Sequence, residues 1–588
     1  MKLNRITIEQ ALFFLILLVA LGVRLLNIGV APLSERESIL SLEAFQVSNG
    51  ESTNFSPGPA YSLLTGATFF LFSDNSSSAR IWSVLAGCCL VIFPYLIRSL
   101  IGRKAALIMA LGLALDPSLV AFSRMADSEI LAVGFGALAL GFIYNRKPIP
   151  AGIFSGLMFL SGPSAIQGLL GIGFTWLLGG ILSRWVSLEP FPGAKTIDKN
   201  PAALRSGVLA AGGVFLVVGT LFFRYPQGLG AVTSIFPAYI EGWINASGMH
   251  LSQLPTAMLL YSPIALIFGS VAIVQGVRRH ESVSLWLGLW AIVSLIIALI
   301  YPGRQVSDLA WVLVPLWALA AIELAKYFRL ADAELLPALG QAFLIMLLMA
   351  LGWLNMAGLS LSGGDEQTLR LRWAVIGGTI VLGAVTTFLI GLGWSIKTAQ
   401  QGLVWGLLLG LGFYGFATMW GISQLRPNGE QDLLAPFPVA KNGGDLLTTL
   451  GDLSEWQTSI RDSLDVVVTD PSASLQWELR NWPEARFLTS VPAGELPSVI
   501  INSEDQPSPN LSIGYRGQDF AWWASPTWEG TLPENWPSWF VFRNAPLIQS
   551  HVILWARGDL FPGGILTPAE EESPPVVEDF RIEERPER

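Results

Sequence analysis

The sequence predicts an all-α polytopic membrane protein of about 13 transmembrane helices, followed by a C-terminal α/β domain outside the membrane. Three observations predict it. Of 588 residues, 52% are hydrophobic and only 13% charged, roughly half the charged share of about 25% carried by soluble domains. Runs of about 20 apolar residues, the length that crosses a bilayer, recur as far as residue 421. Beyond 421, charges, Pro and Trp become commoner and short apolar runs replace the long ones.

The first apolar run follows Lys2 and Arg5 and lacks a convincing small-residue cleavage site, so it reads as a retained anchor rather than a signal peptide. Taken in order, membrane segments are expected near 10–30, 79–100, 104–122, 129–145, 149–162, 163–183, 206–223, 255–277, 283–301, 309–326, 336–357, 373–395 and 401–421. Segment 60–72 is too short to cross at about 1.5 Å per residue and is expected to lie in the interface, within a first outer loop 31–78. Cys88 and Cys89 are adjacent inside an apolar run, where packing is their expected role.

The basic residues orient this map. With the N-terminus cytoplasmic, Lys2, Arg5, Arg98, Arg103, Lys104, Arg146, Lys147 and further Lys and Arg residues fall on inner ends, which hold the larger share. The outer ends hold Arg24, Arg36, Arg80, Arg124, Arg224, Arg304, Arg370 and Arg372, all of them arginine. Arginine grips phosphate through a planar fork, so these side chains are candidates for a lipid phosphate, with chance composition as the plain alternative. An odd number of crossings puts the chain after Gly421 outside.

That outer part, 422–565, reads as a small α/β domain. Strands are expected at 465–470, 498–502, 538–542 and 552–555, with a helix over 472–481. Trp522, Trp523, Trp528, Trp536 and Trp539 are expected in its core or on the membrane surface, the less common alternative being a stacking platform for a glycan. Segment 566–588 is Pro/Glu-rich and acidic, contributes to a net charge of −9, and reads as a solvated disordered tail. His250, His280 and His551 have no partners at metal spacing, so no zinc site is expected; the sequence requires no cofactor and leaves a divalent metal open.

The chemistry-bearing stretch runs from Arg24 to Arg80. Glu35, Glu37 and Glu43 crowd one loop beside a membrane segment, where carboxylates are costly unless they cap a helix or line a cavity. Ser34 opens a short helix in the plain reading, with Glu35 and Glu37 in its first turn; Glu43 falls on a later, solvated turn. Asp127 is a candidate cap for a helix beginning at Ser128, Asp116 before Pro117 a helix stop, and Tyr61 an interfacial anchor or substrate contact.

Arg24-Leu25, Pro32-Leu33 with Glu37, Gly58-Pro59-Ala60-Tyr61 and Ala79-Arg80-Ile81-Trp82 together resemble the N-terminal region of GT-C fold glycosyltransferases. More narrowly, they are similar to the protein O-mannosyltransferase and aminoarabinose transferase branch. Ser123-Arg124-Met125-Ala126-Asp127 is similar to the family's Arg plus Asp element, and Arg304 with Asp308 to its later outer loop. The resemblance implies transfer of a sugar from a polyprenyl-phosphate donor to an unknown acceptor at the outer face of the plasma membrane, with membrane lipids as surroundings and no nucleic acid partner. It implies Glu37 or Glu35 as base and Asp127 as a secondary carboxylate. It implies Arg304, Arg124, Arg80 and Arg36 at the donor phosphate, with Tyr61 and Asp308 as substrate contacts. The chain departs from the family where an Asp-Glu pair would put its base, since the register sets Arg36 at the Asp, and Pro57 stands where many relatives have His.

The chemistry such a site demands can be stated independently. A phosphate leaving group needs no proton, so the requirements are a carboxylate to take the acceptor's proton and cations where phosphate charge develops. A catalytically degenerate scaffold subunit is the first rival, favoured by Arg36. A transporter or flippase is the second, disfavoured because the middles of the spans carry almost no ionisable residues.

Overall fold

The computed structural model describes residues 7–185, 201–328, 334–361, 366–425, 432–434, 443–470, 472–492, 494–506, 513–526, 533 and 535–561. The 566–588 tail, Trp528 and the 507–512 segment lie outside these. Contacts divide the chain into two units, Met1–Pro438 with Ser525–Ile548, and Val439–Ala524 with Gln549–Arg588.

The first unit is helical. Helix α1 (Ile8–Leu25) starts at a capping box of Thr7 and Gln10. The outer loop 31–78 folds into α2 (Glu35–Asn49) and α3 (Ala60–Leu71). Ser34 and Glu37 form a capping box at the start of α2, and Gly50 ends it at φ +80°. Helix α4 (Ser76–Leu96) opens on a third such box, Asn75 with Ser78. Helix α3 buries Tyr61, Leu63 and Phe69 and leaves Phe70, Leu71 and Phe72 exposed at its end, an apolar tip of the kind expected of an interfacial helix.

Eight helices among the described residues are long and apolar enough to cross a membrane, or up to ten if two bent pairs each count as one span. The 129–145, 149–162 and 206–223 segments form the shorter apolar helices Glu129–Tyr144, Pro148–Leu160 and Pro201–Val217. The 104–122 and 255–277 segments, expected as single spans, are broken. Helices Arg103–Leu115 and Pro117–Ser123 meet at 57°, Gln253–Tyr261 and Pro263–Arg279 at 98°. In both cases a proline heads the second helix, and its missing N–H leaves a carbonyl one turn back without a partner.

At the first break the vacancy is filled. Arg24, fully buried, donates to Leu113 O at 3.0 Å and Ala114 O at 2.9 Å, and the Asp116 side chain accepts from Leu119 N at 3.2 Å and Trp317 Nε1 at 2.9 Å. Asp116 is thus a helix cap and an anchor between helices.

The second unit holds a five-stranded sheet in the order β2-β1-β3-β5-β4. Its strands are β1 (Val466–Val468), β2 (Ala485–Phe487), β3 (Val499–Ser503), β4 (Tyr515–Pro526) and β5 (Leu547–Arg557). Strands β2, β1 and β3 are mutually parallel and β5 runs antiparallel to β3. All three β1 residues are buried, as expected of a strand covered on both faces, and the core gathers Leu446, Leu475, Ile501, Trp522 and Leu554.

The expected strand at 538–542 is instead part of a helix, Trp536–Phe542, with Pro537 in its first turn. It belongs to the first unit, where Phe540 packs on Trp353 and Tyr414, Trp536 on Trp373, and Arg543 lies over Trp539. Trp522 sits in the sheet core, hydrogen-bonded to Ser474 Oγ at 2.9 Å.

Candidate functional site

Arg80, on the first turns of α4, is buried and uses every donor it has. Nε and Nη2 pair with Glu37 at 2.8 and 3.0 Å, Nη1 donates to Ile28 O at 2.8 Å and Ala31 O at 2.9 Å, and Nη2 also donates to Pro32 O at 3.1 Å. Guanidinium has five N–H groups, so nothing is left for a ligand. Glu37 is equally committed, for besides Arg80 it accepts from Ala126 N at 2.7 Å, Ser34 N at 2.9 Å and Ser34 Oγ at 3.0 Å. Burial works to raise its pKa, but Arg80 and these donors outweigh that and hold the carboxyl below its usual range. The pair therefore staples the first outer loop to α4 and to the 124–128 turn, and Glu37, expected as a base, has no unoccupied position for a proton.

Two further expectations change on the same grounds. Glu43 is buried rather than solvated, accepting from Ser56 N at 3.1 Å, from Ser56 Oγ, and from Ser62 Oγ at 2.7 Å. Burial pushes its carboxyl above the ordinary value, against the pull of the two serines. Tyr61 is buried, and its hydroxyl donates to Ala79 O at 2.7 Å, so it joins α3 to α4 instead of facing a substrate or the interface. Arg124 is spoken for as well. Its Nη1 caps the end of α1 through Val23 O at 3.1 Å, Arg24 O at 2.9 Å and Leu26 O at 2.7 Å, and Nη2 reaches Ser423 O at 3.1 Å.

What remains gathers around Arg36. Its Nη2 pairs with Glu129 at 2.6 Å and Asp127 at 3.4 Å. The Arg36 side chain is 38% exposed, whereas its partners are 13% and 11% exposed. Burial opposes the guanidinium charge, but Asp127 and Glu129 prevail and hold its pKa above the ordinary value, with Asp308 adding to them. Asp308, buried, accepts from Gln305 N at 2.8 Å and lies beside Gln167. One arginine thus faces three carboxylates.

The positions follow from helix starts. Glu129 is the first residue of Glu129–Tyr144; the N-cap is Ser128 rather than the expected Asp127, which lies one position earlier and accepts through Oδ1 from Ser128 N at 2.6 Å and Glu129 N at 3.4 Å. Asp308 directly precedes Leu309–Tyr327, and Arg36 and Glu35 stand in the first turn of α2, where Glu35 is half-buried. Helix N-termini carry partial positive charge, which helps a cluster of carboxylates persist there. The second oxygen of Asp127 accepts no hydrogen bond among the described residues.

Arg304 makes no hydrogen bond to this cluster among the described residues. It donates from Nε to Tyr301 O at 3.1 Å and from Nη1 to Met249 O at 2.8 Å, and no ion pair joins it to a carboxylate among the described residues. No hydrogen bond or ion pair joins Glu37 to Arg304 among the described residues, whereas Arg36, Asp127, Glu129 and Asp308 interact with one another. Glu129 was not singled out in the sequence. The signal available was an acidic residue heading an apolar helix two positions after Asp127. Among the described residues no three His, Cys, Asp or Glu side chains are placed to hold a metal ion.

The helical unit has the make-up of a polytopic membrane protein, and its fold is similar to that of solved GT-C transferases. The solved structure of ArnT from Cupriavidus metallidurans, bound to undecaprenyl phosphate, is similar to this chain with a TM-score of 0.55 at 14% identity, covering 92% of this chain and 97% of that one. The same protein in the apo state matches to the same extent. The oligosaccharyltransferase AglB from Archaeoglobus fulgidus, solved with an inhibitory peptide and a dolichol-phosphate, gives a TM-score of 0.42 at 16% identity over 81% of this chain and 64% of that one, too loose a likeness to inform the site. No family profile and no curated protein matches the chain.

Proposed function

We propose that this protein transfers a sugar from a polyprenyl-phosphate carrier to a hydroxyl acceptor at the outer face of the plasma membrane, with Asp127 as the general base. One observation carries the assignment. In a cluster of three carboxylates, Asp127 is held through one oxygen by the backbone N–H groups of Ser128 and Glu129 and by Arg36, while the other oxygen is left open. A carboxylate so fixed can accept the proton of an attacking hydroxyl. Arg36 and Arg304 are the arginines with donors remaining for phosphate, since Arg80 is saturated and Arg124 is tied to α1. The shared fold with a protein solved bound to undecaprenyl phosphate supports the choice of carrier.

The test is transfer from undecaprenyl-phosphate sugars by the purified full-length chain. Asp127→Asn keeps an oxygen to accept from Ser128 N and Glu129 N, so the expected result is a loss of about 10²–10⁴-fold in rate with an unchanged melting temperature. A second reading, a non-catalytic scaffold, is favoured by the pairing of Arg36 with both Asp127 and Glu129. No transfer above background from any of several sugar-carriers selects it.

A further inference from the structure

A cavity of about 310 Å³ in the helical unit shares no lining residue with the carboxylate cluster. Ile97, Leu100, Ile143, Tyr144, Ile172 and Trp286 are among the residues that line it. Helix Glu129–Tyr144 starts at the cluster and gives the cavity Ile143 and Tyr144 from its far end, so the cavity lies toward the opposite end of the unit. There the Ser99 and Tyr144 hydroxyls share a hydrogen bond of 3.0 Å, and Asn145 Nδ2 donates to Leu96 O at 2.8 Å, which ties two of the walls together. Trp176, on another wall, has its ring centroid 6.0 Å from that of Trp286. Ile143 is 40% and Trp176 45% exposed, so the cavity opens sideways, on the surface of the bundle that meets lipid.

The walls offer a ligand almost nothing polar. The Tyr144 hydroxyl is taken by Ser99, and the Thr175 hydroxyl donates within its own helix to Gly171 O at 2.6 Å. Such a cavity stays dry, and left empty it forfeits dispersion contacts along its lining, which a hydrocarbon chain at its mouth restores. Its volume is at the low end of the roughly 300–1,000 Å³ of ligand sites, room for one chain and not for a whole lipid. The headgroup therefore stays outside, and the charge around the opening selects it. Arg146 and Lys147 follow Tyr144 in the chain, and Arg103 and Lys104 follow Leu100. Arg98 and Arg103 share Glu9, at 3.5 and 3.7 Å, whereas Lys104 and Lys147 are exposed and form no ion pair among the described residues. At the same end of the neighbouring helices, Glu323 is held by Lys326 at 2.8 Å and Glu281 follows Arg278 and Arg279, so positive charge prevails.

We propose that this cavity holds one acyl chain of a negatively charged phospholipid whose headgroup rests on Lys104 and Lys147. Basic residues beside a gap between membrane helices select anionic headgroups, and the orientation expected from the basic residues puts this end in the cytoplasmic leaflet. Lysine, a point charge on a flexible stem, suits a mobile headgroup. The site does not rest on the transferase reading, in which the carrier's phosphate lies at the opposite end of the unit beside Arg36. The carrier's own chain is the competing occupant. Charge argues against it, because its one phosphate cannot stand at Arg36 and at the two lysines together.

The experiment is native mass spectrometry of the full-length protein, stripped of lipid in detergent and then given dioleoyl phosphatidylglycerol, dioleoyl phosphatidylcholine and undecaprenyl phosphate, singly and in competition. Wild type is expected to retain one phosphatidylglycerol about tenfold or more better than phosphatidylcholine, undiminished by undecaprenyl phosphate. Lys104→Gln combined with Lys147→Gln changes only exposed side chains. It is expected to cut phosphatidylglycerol retention about tenfold or more, each cation near an anionic headgroup being worth about fivefold, and to leave phosphatidylcholine unchanged. Ile172→Trp fills the cavity from a half-buried position and is expected to weaken retention of both phospholipids. Equal retention of the two phospholipids, or a lysine variant that keeps the wild-type preference, overturns the anionic assignment. Displacement of phosphatidylglycerol by undecaprenyl phosphate makes the carrier's chain the occupant and overturns the proposal, as does undiminished retention by Ile172→Trp. None of these outcomes touches transfer at Asp127, which stands or falls by its own test.

Discussion

Arg80 and Glu37 illustrate how much a single pair can settle. Because Arg80 has all five N–H groups engaged, Arg80→Lys removes at least two hydrogen bonds and the two-point grip on Glu37. Glu37→Gln leaves the arginine charge buried without its partner, and breaking a buried pair in this way costs about 3–5 kcal/mol. The expected outcome is a large drop in melting temperature. Were Glu37 the base, the same substitution would abolish transfer while the melting temperature stayed put.

The pair also has a pH signature. Its folded-state pKa is lowered, so its stabilisation is present above the ordinary carboxylate range and is lost as the pH falls through the folded value. Glu43 runs the other way. Its pKa is raised, so the stability linked to it is full below the unfolded value and declines as the pH rises through the folded one. Glu43→Gln is therefore expected to gain stability relative to wild type near neutral pH and to show no gain in acid, measured by thermal unfolding across pH 4–8.

At the level of elements, the loop 31–78 depends on backbone fit as much as on charge. Gly58 at φ +101° lies against Gly162 at φ +109°, and a Cβ on Gly58 would come within 2.5 Å of Gly162 N. Gly58→Ala meets both a strained backbone and fixed main chain, and a loss of about 1–3 kcal/mol is expected, seen as a lower melting temperature and weaker carrier binding.

Helix starts were legible from the sequence because capping chemistry is local: Ser34 with Glu37, and Asp127 before Glu129, lie within three residues of each other. Pro117 and Pro263 mark the two breaks, but each lies within an apolar run long enough to span, and hydropathy alone does not register the bend. Arg36 stands out by its register, but that it bridges Asp127 and Glu129 rather than meeting phosphate alone depends on residues 91 and 93 positions further along the chain. No local pattern contains that, and the same holds for the saturation of Arg80 by carbonyls 48 to 52 positions away. The helix Trp536–Phe542 was misread as a strand because Ser538 to Phe542 is rich in aromatic and β-branched residues, while its packing surface, Trp353 and Tyr414, lies far upstream.

On the scale of the molecule, the two units share the chain unevenly. The sheet unit takes Val439–Ala524 and Gln549–Arg588, and between them Ser525–Ile548 returns to the helical unit. That excursion is anchored by Arg543, which pairs with Asp432 at 4.0 Å and donates to Tyr414 Oη at 3.3 Å, while Tyr261 donates to the same Asp432. Arg543→Ala is expected to leave Asp432 buried without its cation and to lower the melting temperature of the helical unit, with the sheet unit's unfolding unchanged.

The polypeptide thus passes from one unit to the other three times, and strands β4 and β5 flank the middle visit while remaining neighbours in one sheet. A protease that nicks the backbone once, at the first passage near residue 438, severs a peptide bond but frees no soluble fragment. The piece beyond the cut still carries Trp536 to Arg543, embedded among the membrane helices, and would stay with the bilayer through washing. Liberating the sheet would take cuts at every passage, so this appendage is laced into its host rather than hung from it.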